Sequence, residues 1–186
     1  GFRIRFQQLT GPVMAKAVED TLFYRLNSLI ALNEVGSTPG TQKGSVERFH
    51  RAMQGRVGRP AGQLATATHD TKRGEDARAR LYALSEQPSL WNEAVGRWSA
   101  MNEPFRQSAG GKLLPEPEVE WLLYQALAGI WPPFPEQPGP SALGDLTARF
   151  LPYVEKALRE AKHRTDWLEI DAAYEGAVLN FVRGLL

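Results

Sequence analysis

The sequence predicts a mainly α fold, a helical segment with one or two short strands. Over most of its 186 residues, apolar side chains recur at the spacing of an amphipathic helix. The alternation of apolar and polar residues that is typical of a strand is confined to the opening GFRIRF and to LATAT at residues 64–68. Clusters of proline and glycine divide the helical stretches, so about seven helices are expected.

Residues 1–63 are predicted to contain a long helix, a loop and a second helix. Thr10 suits the N-cap position and Pro12 the first turn, after which apolar residues continue at helical spacing to Ile30. The loop NEVGSTPGTQKG follows. Ser45 is then expected to cap a shorter helix whose apolar residues share one face. These apolar residues are Val46, Phe49 and Met53.

Residues 64–81 are predicted to form the LATAT strand and the helix that follows it, and residues 82–186 a helical insertion. Together, 1–186 is expected to form a single predominantly helical unit. In the insertion, SLWNEAVGRWSAMNEPF is predicted to be a helix capped by Ser89, and EPEVEWLLYQALAGIW a more buried helix. The proline-rich PPFPEQPGP connects them to two final helices. The Ser89-capped helix is predicted to face inward with Trp91, Val95, Trp98 and Met101.

The composition excludes several classes of function. Lys and Arg number 22 against 21 Asp and Glu, a formal net charge of +1, which argues against nucleic acid or an anionic membrane as a partner. The absence of cysteine excludes disulfides, thiolate metal sites and a cysteine nucleophile, and it suits a cytoplasmic protein. No apolar run approaches the ~20 residues that a membrane-spanning helix needs. The chain opens without Met and closes inside an amphipathic pattern, so we expect a segment of a longer protein.

Two kinds of ligand-binding motif are incomplete. The loop GSTPGTQKGS has the composition of a phosphate-binding loop, but Lys43 is followed by Gly instead of Ser or Thr, so a surface loop is predicted. His50, His69 and His163 lie on three different predicted elements and lack the spacing of metal ligands. No metal site and no cofactor are therefore predicted.

Five tryptophans raise the question of sugar stacking. Most of them stand at core-facing positions of predicted helices, so packing is expected for at least three. Only Trp131, Phe134 and Trp167 lie in or beside loops where a ligand could reach an aromatic ring.

A His-Asp pair, His69 and Asp70, stands where LATAT meets the following helix. In one interpretation, Asp70 or Thr71 caps that helix, a favoured use of either residue. In the other, Asp70 ends a parallel strand of a barrel, where carboxylates point into the active site from the C-terminal face. The spacing alone leaves both interpretations open.

Four stretches carry a resemblance to a known family. They are QQLTGPVMAKAVEDTLFYRLNSLIALNEVGS, FHRAM, LATATHDTKRGEDARARLYALSEQPSLW and EWLLYQALAGIWP. They closely resemble the maltooligosyltrehalose synthases, a family within the α-amylase superfamily of retaining α-glucan enzymes. The resemblance covers nearly the whole chain, including the closing AKHRTDWLEIDAAYEGAVLNFV. It implies that the helical segment is part of a larger (β/α)8-barrel enzyme.

The resemblance also implies roles for particular residues. Asp70 corresponds to the third catalytic carboxylate of the family, and His69 contacts the same sugar. Lys72 and Arg73 follow directly and could hydrogen-bond the substrate. The same role is expected for three residues of the first stretch, for which a solvated helix face is the alternative. These are Lys16, Glu19 and Asp20.

The implied reaction moves the α-1,4 bond at the reducing end of a maltooligosaccharide to an α,α-1,1 bond by intramolecular transglucosylation. The nucleophile Asp and the general-acid Glu of the family lie on earlier barrel strands, outside this chain. The partners implied are the maltooligosaccharide and the remainder of the barrel enzyme, and this chain alone is expected to be inactive. The alternative is a non-catalytic helical module that binds α-glucan or a protein.

Overall fold

The computed structural model describes residues 1–38, 40, 45–59, 61–132 and 138–186. Within these ranges it contains seven α-helices and one β-hairpin, so the prediction of a mainly α fold with one or two short strands is confirmed. The helices are α1 (Phe2–Val18), α2 (Val46–Gln54), α3 (Glu75–Leu84), α4 (Pro88–Met101), α5 (Pro117–Ile130), α6 (Pro140–Ala161) and α7 (Ala172–Leu185). The strands are β1 (Gln107–Ala109) and β2 (Lys112–Leu114).

Helix α5 lies at the centre of the hydrophobic core. Its sequence is apolar on nearly every side, and such a helix is stable only when neighbours cover it. Helix α3 packs against α5, and α6 packs against α7, which also packs against the hairpin. The apolar core side chains with 0% exposure are Ile30, Leu81, Leu114, Val178, Phe181 and Val182. The predicted buried helix is therefore confirmed.

The first helix differs from the prediction at both ends. The opening GFRIRF is helical and not a strand, since the hydrogen bonds of a helix form within the segment and a strand needs a neighbour. Pro12 lies inside α1, which ends at Val18 instead of continuing to Ile30. Two single 3₁₀ turns follow, Leu22–Tyr24 and Ile30–Leu32.

A side chain holds the irregular segment that follows α1. The Nδ2 amide of Asn33 donates hydrogen bonds to the carbonyls of Phe23 and Leu26, at 2.9 and 2.6 Å. In a continuous helix, main-chain N–H groups four residues further along would bind these carbonyls. Asn33 is 4% exposed, so the irregular path of this segment is fixed in the protein interior.

The predicted LATAT strand is wrong for this structure. Residues 64–68 are exposed and form no strand. A strand requires an adjacent strand to bind its N–H and C=O groups, and no described segment lies alongside residues 64–68 as a strand. The helix predicted after it is confirmed as α3.

The two strands of the structure lie at an unpredicted position. Strands β1 and β2 pair antiparallel, with Gln107 opposite Leu114. Gly110 and Gly111 form the turn between them with φ of +59° and +73°, a conformation that glycine adopts without steric cost. Leu114 is fully buried, so the hairpin is attached to the core.

The structure tests the predicted N-caps of two helices and the predicted inward face of α4. Ser45 caps α2, since its Oγ accepts a hydrogen bond from the Arg48 N–H at 3.1 Å. Ser89 does not cap α4, because that helix begins one residue earlier at Pro88, a residue favoured in the first turn. The inward face predicted for α4 is wrong at Met101, which is 66% exposed.

Parts of two predicted loops lie outside the described residues. Lys43 and the rest of 41–44, together with residue 39, belong to the predicted surface loop. Residues 133–137, including Phe134, belong to the proline-rich connector. Among the helices that the structure does describe, none has both the length and the apolar character needed to cross a bilayer.

Two helices expose much of their apolar surface. Helix α1 has no buried residue, and Phe2 is 82% exposed. On α2, the predicted common face exists but is uncovered, with Val46 and Phe49 exposed by 68% and 60%. Contiguous exposed apolar surface of this kind marks a contact surface.

We expect the chain to self-associate as its concentration rises, because association removes these apolar side chains from water. Sedimentation velocity over a wide concentration range measures this. The double variant Val46→Ser/Phe49→Ser should associate less, whereas Gln54→Ser, at an exposed polar position of the same helix, should behave as the wild type. A wild-type chain that stays monomeric throughout would contradict the expectation.

Candidate functional site

Asp70 and His69 lie in a tight turn that projects into solvent. The Thr71 N–H donates to the Thr68 carbonyl at 3.2 Å, and the Asp70 N–H donates to Thr68 Oγ1 at 3.3 Å. The His69 and Asp70 side chains are 92% and 69% exposed, with His69 Nε2 3.4 Å from Asp70 Oδ2. Within the described structure, the Asp70 carboxylate contacts only this imidazole, so it is accessible to a ligand.

The structure excludes helix capping as the role of Asp70 or Thr71. Helix α3 begins at Glu75, and its N-cap is Gly74, four residues after Asp70. The Thr71 hydroxyl instead donates to the Thr68 carbonyl at 2.7 Å within the turn. The acidic residues in the first turn of α3 are Glu75 and Asp76, which suit the positive end of the helix dipole.

Asp20 joins Lys16 to Lys72. Its Oδ1 accepts a hydrogen bond from Lys72 Nζ at 3.0 Å, and its Oδ2 accepts a short one from Lys16 Nζ. Asp20 lies beyond the end of α1 and its side chain is 23% exposed, so it is not part of a solvated helix face. Lys16, by contrast, is 78% exposed. The structure therefore brings together three of the predicted substrate-binding residues.

The charges in this cluster stabilise one another. Burial raises the pKa of Asp20, but the hydrogen bonds from Lys16 and Lys72 outweigh burial and hold that pKa below its ordinary value. The hydrogen bond from Asp20 in turn raises the pKa of Lys16. At neutral pH the cluster thus contains one carboxylate between two ammonium groups.

Two other predicted site residues make structural contacts. Arg73 donates from Nη1 to the Ile30 carbonyl at 3.0 Å and from Nη2 to the Tyr153 hydroxyl at 3.2 Å. Glu19 accepts a hydrogen bond from the Gly36 N–H at 3.4 Å. Neither side chain joins the cluster of Lys16, Asp20 and Lys72.

Sequence reasoning missed Glu34. Its carboxylate accepts hydrogen bonds from the Lys72 N–H at 2.8 Å and from the Arg73 N–H at 3.3 Å. These partners are 38 and 39 residues away in sequence, and a single glutamate in a loop gives no local signal of such contacts.

Proteins similar to this chain are known. No family model matches it. A Mycobacterium tuberculosis protein assigned as a maltooligosyl trehalose synthase is 39% identical over 176 residues, which cover 94% of this chain and 21% of that protein. The crystal structure of a Sulfolobus tokodaii protein, described as a hypothetical maltooligosyl trehalose synthase, matches with a TM-score of 0.82 and 34% identity over 97% of this chain and 23% of that one. The maltooligosyltrehalose synthase from Arthrobacter ramosus matches with a TM-score of 0.77 and 35% identity, over 97% of this chain and 21% of that one.

The chain is a homologue of one segment of the maltooligosyl trehalose synthases. It spans about a fifth of the length of the curated relatives that it matches, 21% in each case. The stretches that carry the resemblance to these synthases meet in the structure, because Asp20 and Glu34 of the first stretch bind Lys72 of the third.

In this chain, the cluster continues onto α6 through Tyr24. Tyr24 is 8% exposed, and its ring centroid lies 6.0 Å from Lys72 Nζ and 4.9 Å from Lys156 Nζ, within the range of cation–π attraction. Lys156 Nζ also donates to the Tyr24 hydroxyl at 3.2 Å. Burial lowers the pKa of Lys156, but the contacts with Tyr24 and Glu160 together outweigh burial and raise that pKa above its ordinary value. Lys156 is a second residue that sequence reasoning missed.

The structure confirms the packing role that was predicted for most of the tryptophans. Trp91 packs edge to face against Trp98 and Trp121, with centroids 5.5 and 6.0 Å apart, so packing is confirmed for three tryptophans. Trp167 is 51% exposed and donates from Nε1 to Glu160 at 3.2 Å. The carbonyl of Trp131 accepts a hydrogen bond from Arg80. Among the residues that the structure describes, no three potential metal ligands converge.

Proposed function

We propose that this segment supplies Asp70 to the active site of an enzyme that converts the reducing-end α-1,4 bond of a maltooligosaccharide into an α,α-1,1 bond. Homology to the maltooligosyl trehalose synthases supports the proposal. The observation that carries it is the state of Asp70: a carboxylate 69% exposed at the end of a turn, with no helix to cap and only His69 as a partner in the described structure.

The proposed reaction retains the configuration at the transferred glucosyl unit. A carboxylate attacks the anomeric carbon while an acid ~5 Å away protonates the leaving oxygen, and a covalent glucosyl intermediate forms. Both groups would come from outside this chain. The released glucose turns in its subsite, and its own anomeric hydroxyl attacks the intermediate and loses its proton to the former acid. Asp70 stabilises the sugar ring as it becomes cationic.

The cluster beside Asp70 suits the binding of the turning glucose. Lys16 is exposed and retains N–H donors beyond the one that Asp20 accepts. His69, 92% exposed, would contact the same sugar as Asp70. Lys72, Asp20 and Glu19 would add further hydrogen bonds, whereas Arg73 contributes by anchoring the loop. A helical cover around this subsite would also keep out water, which would otherwise hydrolyse the intermediate.

The exposed apolar faces of α1 and α2 favour the alternative of a protein-interaction module. One experiment separates the two candidates. In a full-length protein that contains this segment, Asp70→Asn should abolish most of the activity if Asp70 is catalytic. A non-catalytic module would leave the activity near the wild-type value.

The isolated chain is expected to convert no maltooligosaccharide into a product with a trehalose end, because the proposed nucleophile and acid lie outside it and Asp70 alone cannot form the glucosyl intermediate. The measurement is the loss of reducing ends during incubation with maltooligosaccharide. A full-length protein that contains the segment is the positive control. Turnover by the rigorously purified chain would refute this expectation and require a different nucleophile.

A further inference from the structure

The loop that carries Asp70, residues 66–73, is attached to the helical unit on its C-terminal side by Glu34. The Oε1 atom of Glu34 accepts the Lys72 N–H at 2.8 Å, and Oε2 accepts the Arg73 N–H at 3.3 Å. Hydrogen bonds from main-chain N–H groups to a carboxylate are stronger than those to a neutral acceptor. These two bonds lie two and three residues after Asp70.

The N-terminal side of the same loop is attached to Glu34 through Arg78. The guanidinium of Arg78 donates to the Thr66 carbonyl and lies 3.6 Å from Glu34 Oε2. The side chains of Arg78 and Glu34 are each 16% exposed, so water competes little with the pair. One carboxylate therefore connects to both sides of the loop.

Glu34 itself belongs to a fixed part of the structure. Its neighbour Asn33 is held by two hydrogen bonds, a buried one to the Phe23 carbonyl and a partly buried one to the Leu26 carbonyl. Shortly before it, the Ile30 N–H donates to Gln125 Oε1 at 3.0 Å, and Gln125 lies on the buried helix α5 with 1% exposure.

The turn at the end of the loop has no comparable attachment. Residues 69 and 70 are exposed, and the hydrogen bonds of the turn run between Thr68 and its near neighbours Asp70 and Thr71. The position of the Asp70 carboxylate is therefore set by the two sides of the loop. We infer that Glu34 is a positioning residue, which orients Asp70 by holding both sides of this loop. Its effect on the reaction rests on the proposed function; its effect on the loop does not.

Amide hydrogen exchange in this chain, followed by NMR, tests the inference. In Glu34→Ala, the Lys72 and Arg73 amides should exchange at least about tenfold faster. In Glu34→Gln, the remaining amide oxygen can still accept the Lys72 N–H, but the NH₂ group faces the Arg73 N–H. The Arg73 amide should then exchange faster than in the wild type, while the exchange rate of the Lys72 amide stays within about threefold of the wild-type rate. The control is Glu86→Ala, at an exposed position where the described structure shows no side-chain partner.

If the Lys72 and Arg73 amides of Glu34→Ala exchange at the wild-type rate, the inference is overturned. Should that variant fail to fold, Glu34→Gln decides alone: faster exchange of Arg73 supports the inference, and unchanged exchange overturns it.

A second measurement uses a full-length protein that contains the segment. Glu34→Gln should lower kcat at least about tenfold and leave KM within about threefold, because the Asp20 bridge still holds Lys16 and Lys72. If Asp70→Asn removes activity but Glu34→Gln retains the wild-type kcat, positioning by Glu34 is overturned. If Asp70→Asn retains activity, the proposed function fails, and the exchange rates still decide the role of Glu34 in the loop.

Discussion

In a full-length protein that contains this segment, Asp70→Asn is expected to lower kcat by about 10²–10³, equivalent to ~3–4 kcal/mol of transition-state stabilisation. The substitution removes a negative charge and preserves the size of the side chain. In the proposed mechanism, that charge faces a sugar ring that becomes cationic only as the bond breaks. The loss should therefore fall on kcat more than on KM.

The same substitution should leave the stability of the fold nearly unchanged. The Asp70 side chain is largely exposed, and its described contact is with the equally exposed His69. Asp145→Asn, at an exposed position of α6, is the matched control and should alter neither kcat nor the melting temperature. Activity of Asp70→Asn within a few-fold of the wild type would eliminate the catalytic role and favour the non-catalytic module.

Elements that depend on local interactions could be predicted from the sequence, and elements that depend on distant partners could not. Helices α5 and α7 were predicted because their apolar periodicity is contained in the helix itself. The opening residues 2–6 alternate with the period of a strand, but they form a helix because no described strand lies beside them. Residues 64–68 were misassigned for the same reason, since strand formation depends on a partner that the local sequence does not specify.

The hairpin was missed although a signal was present. Gly110 and Gly111 are a typical two-residue hairpin turn, but the strands on either side are only three residues long. Such short strands carry too few alternating positions to show a period of two. Tertiary contacts stabilise the hairpin, because Leu114 is buried and α7 packs against both strands.

The residues of the candidate site came from resemblance, and their contacts came from the structure. Asp20 and Lys72 are 52 residues apart, so no local pattern predicts their hydrogen bond. Arg73 shows a second kind of long-range contact: its binding to substrate stays a prediction, and in the structure its guanidinium anchors the loop to Ile30 and Tyr153. A basic residue beside a candidate catalytic carboxylate can bind substrate or anchor the loop, and the local sequence does not distinguish the two roles.

The buried carboxylate of Glu175 is the main polar contact between α6 and α7. It accepts two hydrogen bonds from the Arg159 guanidinium, both at 2.8 Å, and a third from the Thr165 hydroxyl at 2.6 Å. The Glu175 side chain is only 7% exposed. The hydrogen bonds from Arg159 lower the pKa of Glu175 below its ordinary value, in spite of the opposing effect of burial.

We expect Glu175→Ala to lower the free energy of unfolding by about 3 kcal/mol, because it removes three hydrogen bonds and leaves a guanidinium without its buried partner. The expected loss is at the lower end for a broken buried pair, since Arg159 retains an ion pair with Glu155 at 2.8 Å. Chemical denaturation at neutral pH measures the loss. The control is Glu93→Ala, at an exposed position of α4, which should change stability little.

The ion pair of Glu175 with Arg159 also predicts how the free energy of unfolding depends on pH. The pKa of Glu175 is lower in the folded state than the ~4.3 of an unperturbed glutamate, so its stabilisation is complete above that value and is lost as pH falls through the folded-state pKa. Glu175→Gln cannot lose this contribution, because its side chain does not titrate. The difference in unfolding free energy between the wild type and Glu175→Gln should therefore shrink as the pH falls below about 4. A difference that stays constant down to that range would show that the ionised carboxylate does not stabilise the contact between α6 and α7.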